Sequence, residues 1–351
     1  MDIENLNNKQ KEAVLNTGGP MLVFAGAGSG KTRVLTHKIA YLIQEVGMLP
    51  YNILAVTFTN KAAGEMKQRV QELLNMDVSS MSVGTFHSIS AKILRREIQL
   101  LGYTNDFAIY DQDDSRAVVK MVIKDLQLDE KSFVPKAIQA QISKAKNQMI
   151  SPEYMASTAE GFLDEKVSDI YSEYQKALKK NNALDFDDLL LKPIELFRDN
   201  PTRLTYYQNK YKYVLVDEYQ DTNRPQFEFV QALSNEHRDI CVVGDDDQSI
   251  YSWRGADVNN ILNFSDSFGE AQIIKLEQNY RSTKTILDCA WSVVSQNNSR
   301  AEKKLWTDNG VGDRVSLISC QDERDESWNV LKVIRKEAID GDFGFDDLVI
   351  L

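Results

Sequence analysis

The stretch that decides the fold is Phe24-Ala25-Gly26-Ala27-Gly28-Ser29-Gly30-Lys31-Thr32. The apolar run from Pro20 to Phe24 predicts a buried strand, and Lys31 to Val46 carries apolar residues at helical spacing. A glycine-rich turn between a strand and a helix lets consecutive backbone N–H groups and a helix N-terminus bind phosphate. We therefore predict a nucleoside triphosphate site, although Ala25 replaces the first glycine of the general pattern. The alternative is an ordinary glycine-rich turn.

Two adjacent carboxylates follow another apolar strand, Tyr213 to Val216. Triphosphate hydrolysis needs one carboxylate that holds Mg²⁺ and another that takes a proton from the attacking water. We assign Asp217 to the metal and Glu218 to the general base. In the glycine-rich loop, Lys31 would reach the β- and γ-phosphates and the hydroxyl of Thr32 would ligate Mg²⁺. The alternative for the two acids is that they only cap the next helix.

The composition is that of a soluble globular protein with two or three domains. The 351 residues carry a net charge of −11, which argues against nucleic-acid binding through bulk positive charge but allows a local basic or aromatic groove. Three widely spaced cysteines fit neither a disulfide framework nor a zinc site. We see no export signal and no apolar run of membrane-spanning length, so we expect a cytoplasmic protein that does not bind membranes.

Other predicted strands also end in polar and aromatic residues. These strand ends are Phe58 to Asn60, Thr85 to His87, and Asp245 to Gly255. In a parallel α/β sheet they would share the ligand-binding edge, where rings stack on bases and helix N-termini bind backbone phosphates. Without that context, Phe58 and Phe86 would be core aromatics and His87 a partly buried, satisfied histidine.

The segment from Asp245 to Gly255 combines acids, an amide, rings and an arginine. Gln248 is suited to contact a γ-phosphate or position water, and Tyr251 and Trp253 could stack on bases. Arg254 could bind a DNA phosphate. The alternative is a charged loop with one buried tryptophan.

Two further places have open interpretations. Tyr280 and Arg281 follow the strand at Ile273 to Leu276, and they are compatible with a ring stacked on adenine beside an arginine finger, or with ordinary surface residues. Gln10, in a short helix capped by Asn7, has an amide suited to an adenine edge, or is a solvated helix residue.

The alternation of strands and helices stops between Asp111 and about Asn181. Helices are predicted there at Ser115 to Leu126, Pro135 to Lys146 and Val167 to Lys180. We interpret this segment as a helical subdomain inserted into the first α/β domain. Asp185 to Leu190 re-enters the parent fold, with acids that could cap the next helix.

The last part of the chain predicts a second α/β unit that is incomplete. Its predicted elements are a strand at Arg314 to Ser319, a helix at Glu323 to Ile339 and a strand at Leu348 to Leu351.

These blocks, in this order, resemble the superfamily-one helicases of the Rep, PcrA and UvrD type. The most specific stretches are 25–32, 57–63, 216–222, 243–255 and 278–282. One such match would be weak, but five in sequence are strong, and the resemblance runs along essentially the whole chain. The family's version of the glycine-rich loop accommodates Ala25.

The resemblance implies an α/β fold with a RecA-like P-loop lobe around a parallel sheet at residues 1–110 and 182–275. It further implies a helical insertion at 111–181 and the start of a second RecA-like lobe at 276–351. The implied activity is that of an ATP-dependent DNA helicase that uses ATP and Mg²⁺ to move 3′ to 5′ on single-stranded DNA. The family's later motifs should lie beyond residue 351, so we interpret the chain as the N-terminal part of a helicase.

By resemblance, the residues fall into three sets. The catalytic set is Lys31, Asp217, Glu218, Gln248 and Arg281, with Thr32 and Asp217 at the metal. The ATP-binding set is Gln10, Ala25, Gly26, Ala27, Gly28, Ser29, Gly30, Lys31, Thr32, Arg33 and Tyr280. The set lining the DNA groove is Phe58, Asn60, Thr85, His87, Phe186, Tyr251, Trp253 and Arg254.

The expected partners are single-stranded DNA, junctions of single- and double-stranded DNA, and possible replication or repair loading proteins. We expect the chain itself to be monomeric. Two other functions stay open. The chain could be a truncated nucleotide- and single-stranded-DNA-binding module with little turnover of its own, because part of the second lobe is missing. It could also be the motor part of a helicase–nuclease.

Overall fold

The computed structural model describes residues 3–297, 300–341 and 343–350. Within them, a six-stranded parallel sheet has the strand order β3-β2-β6-β7-β1-β8, and β4 pairs with β5 separately. The strands are β1 (Met21–Ala25), β2 (Ile53–Thr57), β3 (Ser82–Thr85), β4 (Ala108–Ile109), β5 (Ala183–Leu184), β6 (Tyr213–Val216), β7 (Ile240–Gly244) and β8 (Gln272–Leu276). The predicted α/β class is confirmed.

Helices connect these strands. They are α1 (Asn8–Leu15), α2 (Lys31–Gln44), α3 (Asn60–Leu74), α4 (Phe86–Glu97), α5 (Gln112–Asp125), α6 (Pro135–Asn147), α7 (Pro152–Ser157), α8 (Phe162–Lys180), α9 (Phe186–Asp199), α10 (Pro201–Lys210), α11 (Arg224–Ser234), α12 (Asn259–Leu262), α13 (Phe264–Phe268), α14 (Lys284–Val294) and α15 (Glu323–Asp340). Among the described residues, none of these helices is both long enough and apolar enough to cross a bilayer.

Both faces of the main sheet are buried, which explains why its strands read as continuous apolar runs. Successive strand residues alternate between two cores, since side chains along a strand point to opposite faces. Met21 and Val23 face one core with α1, α2 and α3. Leu22 and Phe24 face the other core with α4, α9 and α11. Packing on both faces holds the carboxyl ends of the strands at one edge.

The helices α5 to α8 form a separate layer between β4 and β5. They bury their own core, which includes Val119, Ile142 and Tyr174. The short parallel pair of β4 and β5 joins the places where the chain leaves the parent fold and returns to it, with Ala108 opposite Ala183. The helix α7 lies in this layer without having been predicted.

The part after β8 differs from the prediction. The predicted helix is confirmed as α15, but the predicted strand at Arg314 to Ser319 is wrong, and Leu317 there is 96% exposed. The predicted strand at Leu348 to Leu351 is wrong for 348–350, and Leu351 lies outside the described residues. A strand needs a neighbour for its backbone N–H and C=O groups, and no described residue pairs with either segment.

Candidate functional site

The glycine-rich loop joins β1 to α2, and Lys31 is the first residue of that helix. Gly28 and Gly30 have φ angles of 69° and 92°, in the left-handed region that disfavours L side chains by about 1–2 kcal/mol. A Cβ on Gly28 would lie 2.6 Å from Cβ of Arg281, and a Cβ on Gly30 would lie 2.7 Å from Nε2 of Gln10. Glycine is therefore required for its backbone angle and for close approach.

Protein donors satisfy the carbonyl oxygens of the loop. Ser29 Oγ donates to Gly26 O at 2.7 Å, and Gln10 Nε2 donates to Ser29 O at 2.9 Å. Asn279 Nδ2 donates to Ala27 O at 2.6 Å. These bonds fix the loop at the N-terminus of α2, and the first N–H groups of a helix are generally available to bind an anion.

Gln10 has both ends of its amide engaged. Its Oε1 accepts from the backbone N–H of Asn7 at 3.1 Å, which completes the capping box of α1, and its Nε2 reaches Ser29. At 1% exposure it is not a solvated helix residue. Arg33 is exposed, and it donates to Asn5 O at 3.0 Å.

The carboxylates after β6 lie beside the loop. Lys31 Nζ is 3.5 Å from Glu218 Oε2. Asp217 is buried, and burial, together with repulsion from Glu218, raises its pKa to about 7 although Lys31 opposes the shift. A cation would favour the ionised form of this carboxylate, and the carboxylate of Asp217 and the hydroxyl of Thr32 are hard oxygen donors of the kind Mg²⁺ takes. Glu218 has a φ of 50°, which is uncommon for a residue with a side chain.

Sequence reasoning gave Gln220 no role, yet this residue is the centre of the carboxylate network. Its Nε2 donates to Glu218 Oε2 at 3.0 Å and to Asp221 Oδ2 at 3.1 Å. Its Oε1 accepts from the backbone N–H of Asp245 at 3.0 Å. A Cβ on Gly244 would lie 2.6 Å from that oxygen, so Gly244 makes room for the contact. Gln220 therefore ties the end of β6 to the end of β7.

Gln248 lies in the short turn after β7. Its side chain donates to the carboxylate of Asp245, and its backbone N–H donates to Asp245 O at 2.9 Å. The neighbouring carboxylates of Asp245, Asp246 and Asp247 are close enough to hold a metal ion. The ammonium of Lys303 lies among them instead, 2.9 Å from Asp245 and 2.8 Å from Asp247. The cluster is an ion-pair network, and Lys303 was missed because it is distant in sequence.

The residues after β8 lie against the glycine-rich loop. Tyr280 N donates to Gly28 O at 2.9 Å, while Tyr280 is 47% exposed and its hydroxyl accepts from Asn7 Nδ2 at 2.8 Å. The side chain of Asn279 accepts from the backbone N–H of Arg281 at 2.9 Å. Tyr280 and Arg281 are thus brought to the loop, whereas contacts with adenine and phosphate stay predictions.

A cavity of about 1840 Å³ lies between the sheet edge and the helical insertion. The rings of Phe58 and Tyr251 stack with centroids 4.9 Å apart, and Trp253 lies 6.4 Å beyond Tyr251. The guanidinium of Arg254 lies 4.5 Å from the Trp253 ring. Trp253 is 73% exposed, so the alternative of one buried tryptophan is wrong.

A second pair of rings lines the same cavity. His87 and Phe186 meet edge to face with centroids 6.1 Å apart, and Phe186 is half-exposed. Burial lowers the pKa of His87, which favours the neutral form of its ring. Thr85 caps α4 and lines the cavity, whereas Asn60 begins α3 on an exposed position outside the lining.

The charge of the cavity wall is balanced. Its basic residues are Arg116, Lys136, Lys144, Arg224 and Arg254, and its acids are Asp111, Asp185, Asp187, Asp221 and Asp257. Exposed rings, rather than excess positive charge, therefore distinguish this surface, and a strand whose bases stack is the nucleic acid that such a surface suits.

Comparisons with known proteins identify the family of this chain. Residues 6–269 match the UvrD/REP helicase N-terminal domain, and residues 274–351 match the UvrD-like helicase C-terminal domain. The chain belongs to the UvrD/Rep helicase family. It is similar to the protein named ATP-dependent DNA helicase PcrA in three bacteria. The identity is 49% in Staphylococcus epidermidis (97% of this chain, 46% of the relative), 48% in Bacillus subtilis (99% and 47%) and 47% in Staphylococcus aureus (99% and 48%). The chain thus spans about half the length of these relatives.

Proposed function

We propose that the protein containing this chain is an ATP-dependent DNA helicase that couples ATP hydrolysis to 3′-to-5′ movement on single-stranded DNA. The observation that carries the proposal is the segment Asp245 to Arg254. It begins in the carboxylate network around Gln220 and ends in the rings of the cavity, so one short segment belongs to both sites. The name of the PcrA relatives supports the ATP-dependent helicase part of the proposal.

Within the nucleotide site, Lys31 and the N-terminus of α2 bind the phosphates, and Thr32 and Asp217 hold Mg²⁺. Mg²⁺, when bound with ATP, supplies charge neutralisation at the γ-phosphate. Glu218 is the general base, and its ion pair with Lys31 holds it beside the loop.

The remaining residues contact the two ends of the nucleotide. Gln248 and Arg281 approach the γ-phosphate, with Arg281 stabilising charge in the transition state. Gln10, Arg33 and Tyr280 form the adenine side.

The cavity beside the helical insertion is the groove for single-stranded DNA. We propose that Phe58, Tyr251, Trp253, His87 and Phe186 stack on or lie against bases. Thr85 and Arg254 would contact the DNA backbone in the cavity, and Asn60, at the exposed start of α3, would contact it outside the cavity lining. Junctions and loading proteins are the partners expected of such a motor, in replication or repair.

We propose the same division into lobes that the sequence predicts. The first lobe is 1–110 and 182–275, the insertion is 111–181, and the second lobe begins at 276. The separate core of the insertion and the two family matches support this division. The absence of a sheet among described residues 277–350 favours a second function for the isolated chain, a nucleotide- and DNA-binding module with little turnover.

The test compares Glu218→Gln with the parent and with Glu270→Gln, an exposed glutamate far along the chain. Glu218→Gln should keep ATP binding and lower single-strand-stimulated hydrolysis by roughly 10²–10⁴-fold, as expected for loss of a general base. Glu270→Gln should behave as the parent. A full-length parent that binds ATP but whose hydrolysis is not stimulated by single-stranded DNA would refute the helicase proposal. Equal ATP turnover by this chain and by a longer form would refute the second proposal, that the isolated chain is a binding module with little turnover.

A further inference from the structure

Residues 300–307, which we call the strap, join two parts of the proposed nucleotide site. The first half of the strap binds the acidic turn after β7. The second half binds the residues that follow β8. No motif in the sequence pointed to this segment, and the residues that it contacts are distant from it in the sequence.

At the first end, two cations meet three consecutive carboxylates. The ammonium of Lys303, which is 4% exposed, bonds to Asp245, Asp246 and Asp247. Arg300 makes two bonds to Asp247, at 2.9 and 2.7 Å. Burial alone would lower the pKa of Lys303, but the carboxylates hold it above its ordinary value. Lys303 is therefore a permanent charge inside the cluster.

Asp245 connects that charge to Gln248. One of its oxygens lies 2.9 Å from Lys303 Nζ, and the other accepts from the Gln248 side chain. Its backbone N–H donates to Gln220, which in turn donates to Glu218. Without the ammonium, three carboxylates whose oxygens lie within 4.8 Å of one another would repel, and the turn that carries Gln248 would open.

The other end of the strap keeps Lys303 in place. Trp306 N donates to Glu277 O at 2.9 Å and Trp306 O accepts from Asn279 N at 2.7 Å, so the strap forms a parallel bridge with the residues just after β8. Thr307 Oγ1 donates to Asn279 O at 2.8 Å. A Cβ on Gly26 would lie 2.5 Å from Leu305, so the strap also lies directly against the glycine-rich loop.

We propose that Lys303 is a positioning residue for ATP hydrolysis, which holds the Asp245–Gln248 turn in the geometry that Gln248 needs at the γ-phosphate. This inference rests on the proposed function, because it assumes hydrolysis at this site. Lys303 does not touch the reacting atoms; it acts through Asp245.

The test uses the full-length protein and measures kcat and KM for ATP with saturating single-stranded DNA. Lys303→Met should lower kcat on the order of 10- to 100-fold, as misplacement of a reacting group does, with KM changed less than about threefold. The matched control is Lys332→Met, an exposed lysine of α15, which should leave both constants unchanged. Asp246→Asn combined with Lys303→Met restores the net charge of the cluster and relieves the repulsion, so it should regain part of the lost kcat and of the parent's unfolding midpoint.

A double-mutant cycle with Gln248→Ala separates positioning from other effects. If Lys303 acts through Gln248, adding Lys303→Met to Gln248→Ala should lower kcat by less than about threefold further. A full additional loss would overturn the proposal, and so would a charge-restored variant whose kcat is no higher than that of Lys303→Met alone. If the unmodified full-length protein does not hydrolyse ATP, the proposed function itself is refuted instead.

Discussion

Replacement of Gln220 by leucine tests whether one buried amide holds the carboxylate network together. Gln220 is 1% exposed and makes three hydrogen bonds, two as donor to Glu218 and Asp221 and one as acceptor from the N–H of Asp245. Leucine has a similar volume, so the substitution removes the bonds without opening a large cavity.

The expected change in the free energy of unfolding follows from the three hydrogen bonds that the substitution removes. A hydrogen bond to a charged group contributes roughly 1.5–3 kcal/mol and a neutral one about 1 kcal/mol. The bond to Glu218 counts least, because that side chain is 33% exposed. We expect Gln220→Leu to lower the free energy of unfolding by about 3 kcal/mol, and turnover to fall because Glu218 loses its support.

The loss should depend on pH. Burial and then repulsion from Glu218 raise the pKa of Asp221 to about 6, although the Gln220 amide lowers it. Because the pKa of Asp221 is higher in the folded than in the unfolded state, the protein loses stability as the pH rises through the folded-state pKa. Removing the Gln220 amide raises the folded-state pKa further. The destabilisation by Gln220→Leu should therefore be larger at pH 8 than at pH 5.

Denaturant unfolding followed by tryptophan fluorescence at pH 8 and pH 5 measures both effects. Gln68→Leu is the matched control, because Gln68 is exposed on α3 and bonds only to Glu72 among the described residues. It should change stability by less than about 0.5 kcal/mol. A loss for Gln220→Leu as small as that of the control, or one that grows towards acid pH, would refute the reasoning.

Two further substitutions test the loop and the groove. Gly28→Ala should bind a fluorescent ATP analogue more weakly in an equilibrium titration, because the φ of 69° at Gly28 and its close neighbours exclude a methyl group. The control is Gly18→Ala, whose methyl group would meet nothing within 4 Å and which should bind the analogue normally. Equal affinities of the two variants would contradict this. Burial and then Asp185 raise the pKa of Asp187 to about 6, so the native state loses stability between about pH 4 and pH 6. Asparagine does not ionise, so Asp187→Asn should not lose this stability. Its free energy of unfolding should exceed the parent's by on the order of 1–3 kcal/mol at pH 7.5 but not at pH 4. An equal gain in stability at both pH values would contradict this prediction.

The main sheet and its ligand edge could be predicted because their signals are local. The glycine-rich loop sits between an apolar run and a helical repeat, and the acids Asp217 and Glu218 directly follow an apolar run. Strands buried on both faces are read as such from five or six residues. These features need no knowledge of distant neighbours.

The contacts that shape the site could not be predicted because they depend on distant neighbours. Lys303 is 57 residues from Asp246, and in the sequence it is one lysine among many. Gln220 gains its role only where Gly244 approaches its oxygen. The wrong strand at 314–319 has the same origin: an apolar alternation suits a strand, but pairing with another segment decides whether one forms.

The same dependence on distant contacts bears on how the two proposed sites communicate. Only Ser249 and Ile250 separate Gln248, which we propose approaches the phosphates, from Tyr251, which stacks on Phe58. The three Cα-to-Cα steps from Gln248 to Tyr251 span at most about 11 Å and contain few soft dihedrals, so a shift of Gln248 is expected to move Tyr251 as well. The strap holds one end of this segment through Lys303. On the proposed function, this short stretch of backbone is therefore the most direct route by which nucleotide binding could affect the DNA groove.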